Sequence, residues 1–419
     1  MAETPAKRAS PLNDAPVLRG RYVRYWMQAS QRAEENPALE TAVARANALA
    51  LPVLCVFGLT SSYPEANLRH YAFMLEGLGE TRAALEKRGI QHAVLRAQLD
   101  DAALSLAGEA ALVVCDCGYM PHRRVWRARL AREARCQVVQ VEADVVVPVA
   151  QASRKAEWSA ATLRPKILFL RDAIIDAGIP PVPGVRGGTS TARALLAKFV
   201  REKLPFYGAE RNDPSLEGQS GLSPYLHFGQ VSPVTIARAV RGASHAPESA
   251  REGFLEQLVV RRELACNFAA CAESPHVFAC LPAWARKTLA AHARDPRPRL
   301  YDERQLEECA THDPYWNAAM SEMKVTGRLH GYMRMYWGKK ILEWSASPAA
   351  AFATALRLNN RYFLDGRDPN SFAGVAWCFG KHDQAWGERP VFGKVRYMNA
   401  AGLERKYDME RYLARVAAL

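Results

Sequence analysis

The chain has no CxxC pair, no GxGxxG, no Walker A loop, and no apolar run near the ~18 residues that a membrane span needs. Its nine cysteines are an odd number without zinc spacing. Cys115 and Cys117 flank one aspartate, and Cys266, Cys271 and Cys280 follow no ligand pattern. Reduced, mostly buried thiols are therefore expected, with no metal centre. The opening MAETPAKRASPLNDAP is not built like a secretory signal. It reads as a disordered lead over residues 1–17 of a cytoplasmic protein of bacterial type. No heptad seam points to assembly, so a monomer is expected.

What is present is ordinary in bulk and unusual in charge. A length of 419 residues suits two or three domains and a large core. Hydrophobic content of 49% and charged content of 24% are those of a globular protein. The formal net charge of +13 favours acidic partners, nucleic acid first. An anionic membrane surface and simple solubility are the rival readings.

Strand and helix patterns alternate through the first part. GRYVRYWMQ, LPVLCVFGL, HAVLRA and ALVVCDC read as strands, and CQVVQVEADVVVP brings one or two more. Residues 36–50, 68–88, 100–108 and the run PHRRVWRARLAREA read as helices. Continuous apolar strands between helices predict a doubly wound parallel sheet over residues 18–150. Such sheets bind ligands beyond the strand C-termini, although no nucleotide motif supports that here. The six arginines of His122–Arg135 read as a solvated helix face. Residues 151–190 thicken in proline and glycine and read as a linker or surface loop. From 191 to 419 the pattern is helical. The fold class expected is thus α/β plus all-α.

Residues 311–372 carry the most specific patterns. Trp337 and Trp344, seven apart, share one helix face about 10 Å apart along the axis. With Trp316 they are either core packing or a chain of short electron hops. Arg334 on that helix and Asp365 in LDGRDPN are either a partly buried pair beside a flat polar ring or a surface loop. Ser220, Gly221, Leu222 and Ser223 precede Pro224 at a helix start, as a plain cap or a phosphate cradle. The C-terminal segment interleaves Trp377, Lys381, His382, Trp386, Arg389, Lys394, Arg396 and Tyr397. That mixture suits base stacking with phosphate clamping, or core tryptophans with solvated charges.

THDPYWN, HGYMRMYWGKKILEW, LNNRYFLDGRDPN and KHDQAWGERPVFGKVRYM together resemble the class II cyclobutane-pyrimidine-dimer photolyases, with a likeness from about residue 18 to the C-terminus. The resemblance implies an N-terminal α/β domain, which can hold an antenna chromophore of deazaflavin type, beside a helical FAD domain. It implies light-driven electron transfer from reduced FAD to a pyrimidine dimer flipped out of ultraviolet-damaged DNA, single- or double-stranded. FAD would sit between Ser220–Ser223 and the Arg334/Asp365/Asp368 region, with Asn359 beside flavin N5. Trp337, nearest the flavin, would relay electrons with Trp316 and Trp344 in an order left open. Met335 and Trp377 would touch the dimer, and Trp386, Arg389 and Arg396 the strand around it. Arg211 and Asp383 would support that loop. One departure stands out: the family's active-site glutamate falls at Gln257, with Glu256 beside it. Glu263 and Asn267 read as helix-face and packing residues. A photoreceptor that has kept flavin and lost repair is the alternative that Gln257 supports, and a flavin-free nucleic-acid binder is a third.

Overall fold

The structure, a computed structural model, describes residues 8–177 and 190–419. Six strands form one sheet in the order β1-β6-β5-β2-β3-β4. They are β1 (Ala9–Pro11), β2 (Tyr22–Met27), β3 (Val53–Leu59), β4 (Gln91–Arg96), β5 (Ala110–Asp116) and β6 (Gln137–Val141). β2 to β6 are parallel and β1 is antiparallel to β6. Helices α1 (Pro37–Leu49), α2 (Leu68–Lys87), α3 (Leu99–Ser105) and α4 (Pro121–Glu133) connect the parallel strands. Asn36 caps α1 by accepting from the amides of Ala38 and Leu39. β5 is buried along its whole length, as its unbroken apolar run requires. The chain runs outward from β2 first to one side and then to the other. The crevice between β2 and β5 is therefore the topological switch point, where such sheets bind ligands.

Two expectations need correction here. Residues 8–17 are not a disordered lead. β1 completes the sheet edge, and the buried Arg8 guanidinium donates to the carbonyls of Glu142, Val145 and Val146 at 2.9, 3.0 and 2.7 Å. An open edge at β6 and an arginine with matched acceptors fix a segment too short to show any periodicity. The stretch 151–190 is not all loop either, because α5 (Ala160–Ala177) occupies much of it. Leu163, Ile167 and Ile174 form its buried stripe. The most proline- and glycine-rich part, 178–189, lies outside the described residues.

Beyond residue 190 the structure is helical. The helices that build the site are α6 (Arg262–Cys271), α7 (Pro314–Thr326), α8 (Gly331–Trp344), α9 (Pro348–Tyr362) and α10 (Pro369–Cys378). The two parts meet along a polar seam. Arg32 is buried, pairs with Asp144 at 2.7 Å and donates to the Gly229 carbonyl at 3.0 Å. Gly229 has φ +63°, and a Cβ there would sit 1.8 Å from the Ala29 carbonyl oxygen, so only glycine lets the parts close. Glu263 and Asn267 act here as buckles, as their reading as packing residues anticipated. Glu263 accepts from the Val146 and Val147 amides, and Asn267 accepts from the Glu157 amide at 2.8 Å.

Candidate functional site

A cavity of about 560 Å³ opens inside the helical part. That volume lies in the range of cofactor sites, ~300–1,000 Å³. Ser220, Gly221, Leu222 and Ser223 line it, as do Arg334, Asp365, Asp368, Gln257 and Arg262. The sequence separates these residues by up to about 150 positions, and the fold brings them to one wall system. Gly221 has φ +70°, so the turn that presents this wall suits glycine. The helix that follows, Ser223–His227, is only five residues long. An anion there would be met by local groups rather than by a long helix dipole.

Arg334 donates to Asp365 at 3.0 Å, and its guanidinium lies 3.8 Å from the centre of the Phe363 ring. This flat, half-buried surface is oriented from both sides. Asp368 caps α10 by accepting from the Asn370 amide at 2.9 Å and faces His227 Nδ1 at 3.4 Å. Burial works against its ionisation, but the His227 contact, the Arg262 charge and the Asn370 amide outweigh it, holding its carboxyl down at about 2. Burial also drives the His227 imidazole below its ordinary value, so it is neutral at pH 7.

Gln257 and Glu256 part company in the structure. They lie in one π-helical turn, Glu256–Arg261, that runs directly into α6. Such turns break the helical register and re-aim side chains. Gln257 lines the cavity, whereas Glu256 pairs with Arg164 of α5 at 2.7 Å and with Arg261 at 3.2 Å. Glu256 is thereby committed elsewhere and does not substitute for a carboxylate at position 257.

The three tryptophans form a chain with an order. Trp316 and Trp337 stack with centroids 6.4 Å apart and planes 8° from parallel. Trp316 also meets Trp344 edge-on at 5.6 Å. The sequence spacing placed Trp337 and Trp344 on one face, but the close contacts run through Trp316 on the neighbouring helix. The motif THDPYW explains the placement. Asp313 caps α7 by accepting from the Tyr315 and Trp316 amides, and it also receives the Tyr336 hydroxyl from α8. Trp316 Nε1 then donates to the Trp337 carbonyl at 3.0 Å. Trp337 lines a small cleft with Arg334 and Asn359, and Arg334 also lines the main cavity. Asn359 is buried within the last turn of α9. Trp344 meets Tyr301 and His312 at the outer end.

A second group stands in the C-terminal segment. The Arg396 guanidinium lies 4.8 Å from the Trp386 ring centre and 5.8 Å from that of Trp377. Arg389 lies 4.1 Å from the Tyr397 ring. Asp383 accepts from Trp386 Nε1 at 3.3 Å. Arg211 does not join this group. It lies beside Tyr207, a residue of the cavity wall. Met335 is half-buried next to Arg334, and its carbonyl faces the Cys378 thiol at 3.9 Å.

A second cavity, about 70 Å³ in volume, lies at the C-terminal ends of β2 and β3 and is closed by His227, Phe228 and Arg367 of the helical part. Trp26, Phe57, Tyr63, Tyr71 and Trp126 line it with Arg123 and Arg367. The expected solvated face of α4 is corrected for three of its arginines, while Arg132 and Arg135 are exposed as expected. Arg123 reaches the cavity, Arg124 donates to the Ala270 and Ala272 carbonyls, and Arg127 donates to that of Gly118. Their long stems bury while their donors find backbone oxygens. Sequence reasoning missed His227, Arg262 and Arg367, which lie between the two cavities. Buried polar groups of this kind follow no periodic signal.

The family model for DNA photolyase matches residues 23–183. The deoxyribodipyrimidine photo-lyase of Methanothermobacter thermautotrophicus is 49% identical, covering 99% of this chain and 99% of that one. The protein of the same name from Arabidopsis thaliana is 37% identical over 95% of this chain and 89% of its own. A bacterial class III photolyase from Agrobacterium tumefaciens superposes with a TM-score of 0.71, covering 97% of this chain and 88% of that one. At 19% identity, that likeness concerns the fold. No described helix is long and apolar enough to cross a membrane. On the two relatives that match it nearly end to end, the chain belongs to the DNA photolyase family.

Proposed function

We propose that the protein repairs cyclobutane pyrimidine dimers in DNA in a light-driven reaction and belongs to class II of its family. The observation that carries this reading is one cavity in which Ser220–Ser223, Gln257, Arg334 and Asp365 meet, with Trp337 behind it. Its volume, its Arg334–Asp365 edge and its Gly221 turn fit FAD. When bound, reduced FAD supplies the photoexcitable electron for splitting the dimer. Around it Ser220–Ser223 hold the pyrophosphate side and Arg334, Asp365 and Asp368 orient the ring side. Asn359 offers its amide next to Trp337. Gln257 donates hydrogen bonds to the carbonyl groups of the dimer but carries no charge or mobile proton. Trp337, Trp316 and Trp344 bring electrons inward from the surface, in that order outward.

On the substrate side, Trp377 packs against the flipped dimer while Trp386, Arg389 and Arg396 hold the strand around it. A lesion pairs weakly, which lowers the cost of flipping and favours damaged over intact DNA. The aromatic cavity at the ends of β2 and β3 is where an antenna of deazaflavin type would lie. At about 70 Å³ it admits one small ring, and a larger chromophore requires side chains such as Tyr63 or Arg123 to swing outward.

The test is repair of a thymine-dimer oligonucleotide by photoreduced protein, in blue light and in darkness. Restored thymine in the light alone is the expected outcome. The photoreceptor alternative rests on Gln257, and the ordered Trp377–Arg396–Trp386 group argues against it. A protein that takes up FAD and photoreduces it, yet leaves the dimer intact in light, would establish that alternative.

A further inference from the structure

Lys339 is fully buried in α8 and none of its neighbours forms an ion pair with it among the described residues. Its ammonium donates to the Cys378 carbonyl at 2.6 Å, at the last residue of α10. The same nitrogen lies 4.9 Å from the centre of the Trp377 ring. Arg396 approaches that ring at 5.8 Å and continues to Trp386. The result is a ladder: Lys339, Trp377, Arg396, Trp386. Its neighbour Lys340 provides the contrast. Lys340 lies near Tyr336 and Trp344 but is neutralised by Glu343 at 2.7 Å.

A buried ammonium is costly to fold, and an apolar residue of similar volume is usually at least as stable. Packing alone therefore gives no reason for a lysine here. Two things do use its charge. It binds a carbonyl at the end of the helix that carries Trp377, and it holds an aromatic face electrostatically. We propose that Lys339 is a positioning residue for lesion binding: its charge fixes the Trp377 ring, and through it Arg396 and Trp386, as the preformed wall that receives the flipped dimer. This rests on the repair reading above and names a residue for which that reading has no role.

The charged groups around Lys339 define when the device works. Cys378 faces it from α10, and Asp383 and Arg396 face it from the C-terminal segment. Burial, aided by the Arg396 cation, outweighs Cys378 and Asp383 and brings the ammonium down to about 8. The Cys378 thiol is pushed up to about 11 by burial, so it is silent in that range. Raising the pH through about 8 then discharges Lys339 in the folded protein, whereas the unfolded chain keeps its proton to about 10.4. Between those values the unfolded state binds more protons, so this group makes stability rise with pH. Lesion affinity should fall over the same interval. A lysine with only a structural role would not move affinity and stability in opposite directions.

The experiment measures Kd for a thymine-dimer duplex and for the undamaged duplex from pH 7 to 9.5, with melting temperatures, for the FAD-loaded wild type and Lys339→Met. Lys339→Met should weaken lesion binding about tenfold at pH 7 and abolish the affinity step near pH 8. Lys339→Arg should restore part of the affinity without the step. Wild-type affinity that stays level across pH 8, or Lys339→Met that binds as tightly as wild type, overturns the proposal. Should Lys339→Met fail to fold, the opposed slopes of affinity and melting temperature in the wild type decide it. A wild type without preference for the lesion at pH 7 would instead remove the repair reading itself.

Discussion

The protein places tryptophans in two settings, one on α7 and α8 and the other on α10 and the C-terminal segment. Trp316, Trp337 and Trp344 are buried and touch ring to ring, and the Asp313 cap holds Trp316 at the start of its helix. Trp377 and Trp386 do not touch each other and are separated by the Arg396 cation, and Trp386 is 41% exposed. One residue type thus serves two kinds of chemistry, and its neighbours decide which. Ring stacking in a dry core favours passing a charge. A cation over the ring disfavours removing an electron from it and leaves a polar, hydratable edge for a nucleic acid.

Substitutions can break this contrast. The largest effect is expected for Trp337→Phe, which should lose nearly all light-driven flavin reduction, read by absorbance under blue light. Unchanged photoreduction would refute the relay. Trp377→Ala belongs to the other set. It should weaken lesion binding by about 1–3 kcal/mol while the flavin still photoreduces, as titration of a labelled duplex would show.

Asp313→Ala tests how the relay is held. It removes the cap of α7 and the partner of the Tyr336 hydroxyl together, and should cost about 1–3 kcal/mol in denaturant unfolding. Its photoreduction should slow as Trp316 loosens, whereas lesion affinity stays near wild type. Arg396→Ala should flatten the plot of log K against log salt by about 0.9. An unaltered slope would take Arg396 out of the phosphate footprint. The smallest change is expected for Gln257→Glu, which should preserve or raise the repair yield per photon. A large loss would mean that position 257 does not face the dimer.

Sequence reasoning reached different depths in different places. The parallel sheet was legible because β3 and β5 are unbroken apolar runs between amphipathic helices. β1 was not, since three residues show no period and only the β6 edge calls them into register. α5 was hidden by Pro165 and by the glycine- and proline-rich stretch after it, although Leu163, Ile167 and Ile174 stand at helical spacing. The cavity residues were legible through motif resemblance, because caps and turns such as Asp313-Pro314 and Gly221 are written locally. The order of the tryptophans was not, since it depends on how α7 crosses α8. The same holds for Lys339, whose burial is invisible in the run GKK.

The most direct test of the division between the two sets is single-turnover repair of a thymine-dimer oligonucleotide by Trp337→Phe that has been chemically reduced beforehand, under blue light. Repair at the wild-type yield, in a variant that cannot photoreduce its own flavin, is the predicted result. Repair that falls together with photoreduction would contradict the account, because the buried tryptophans would then act in the splitting step itself.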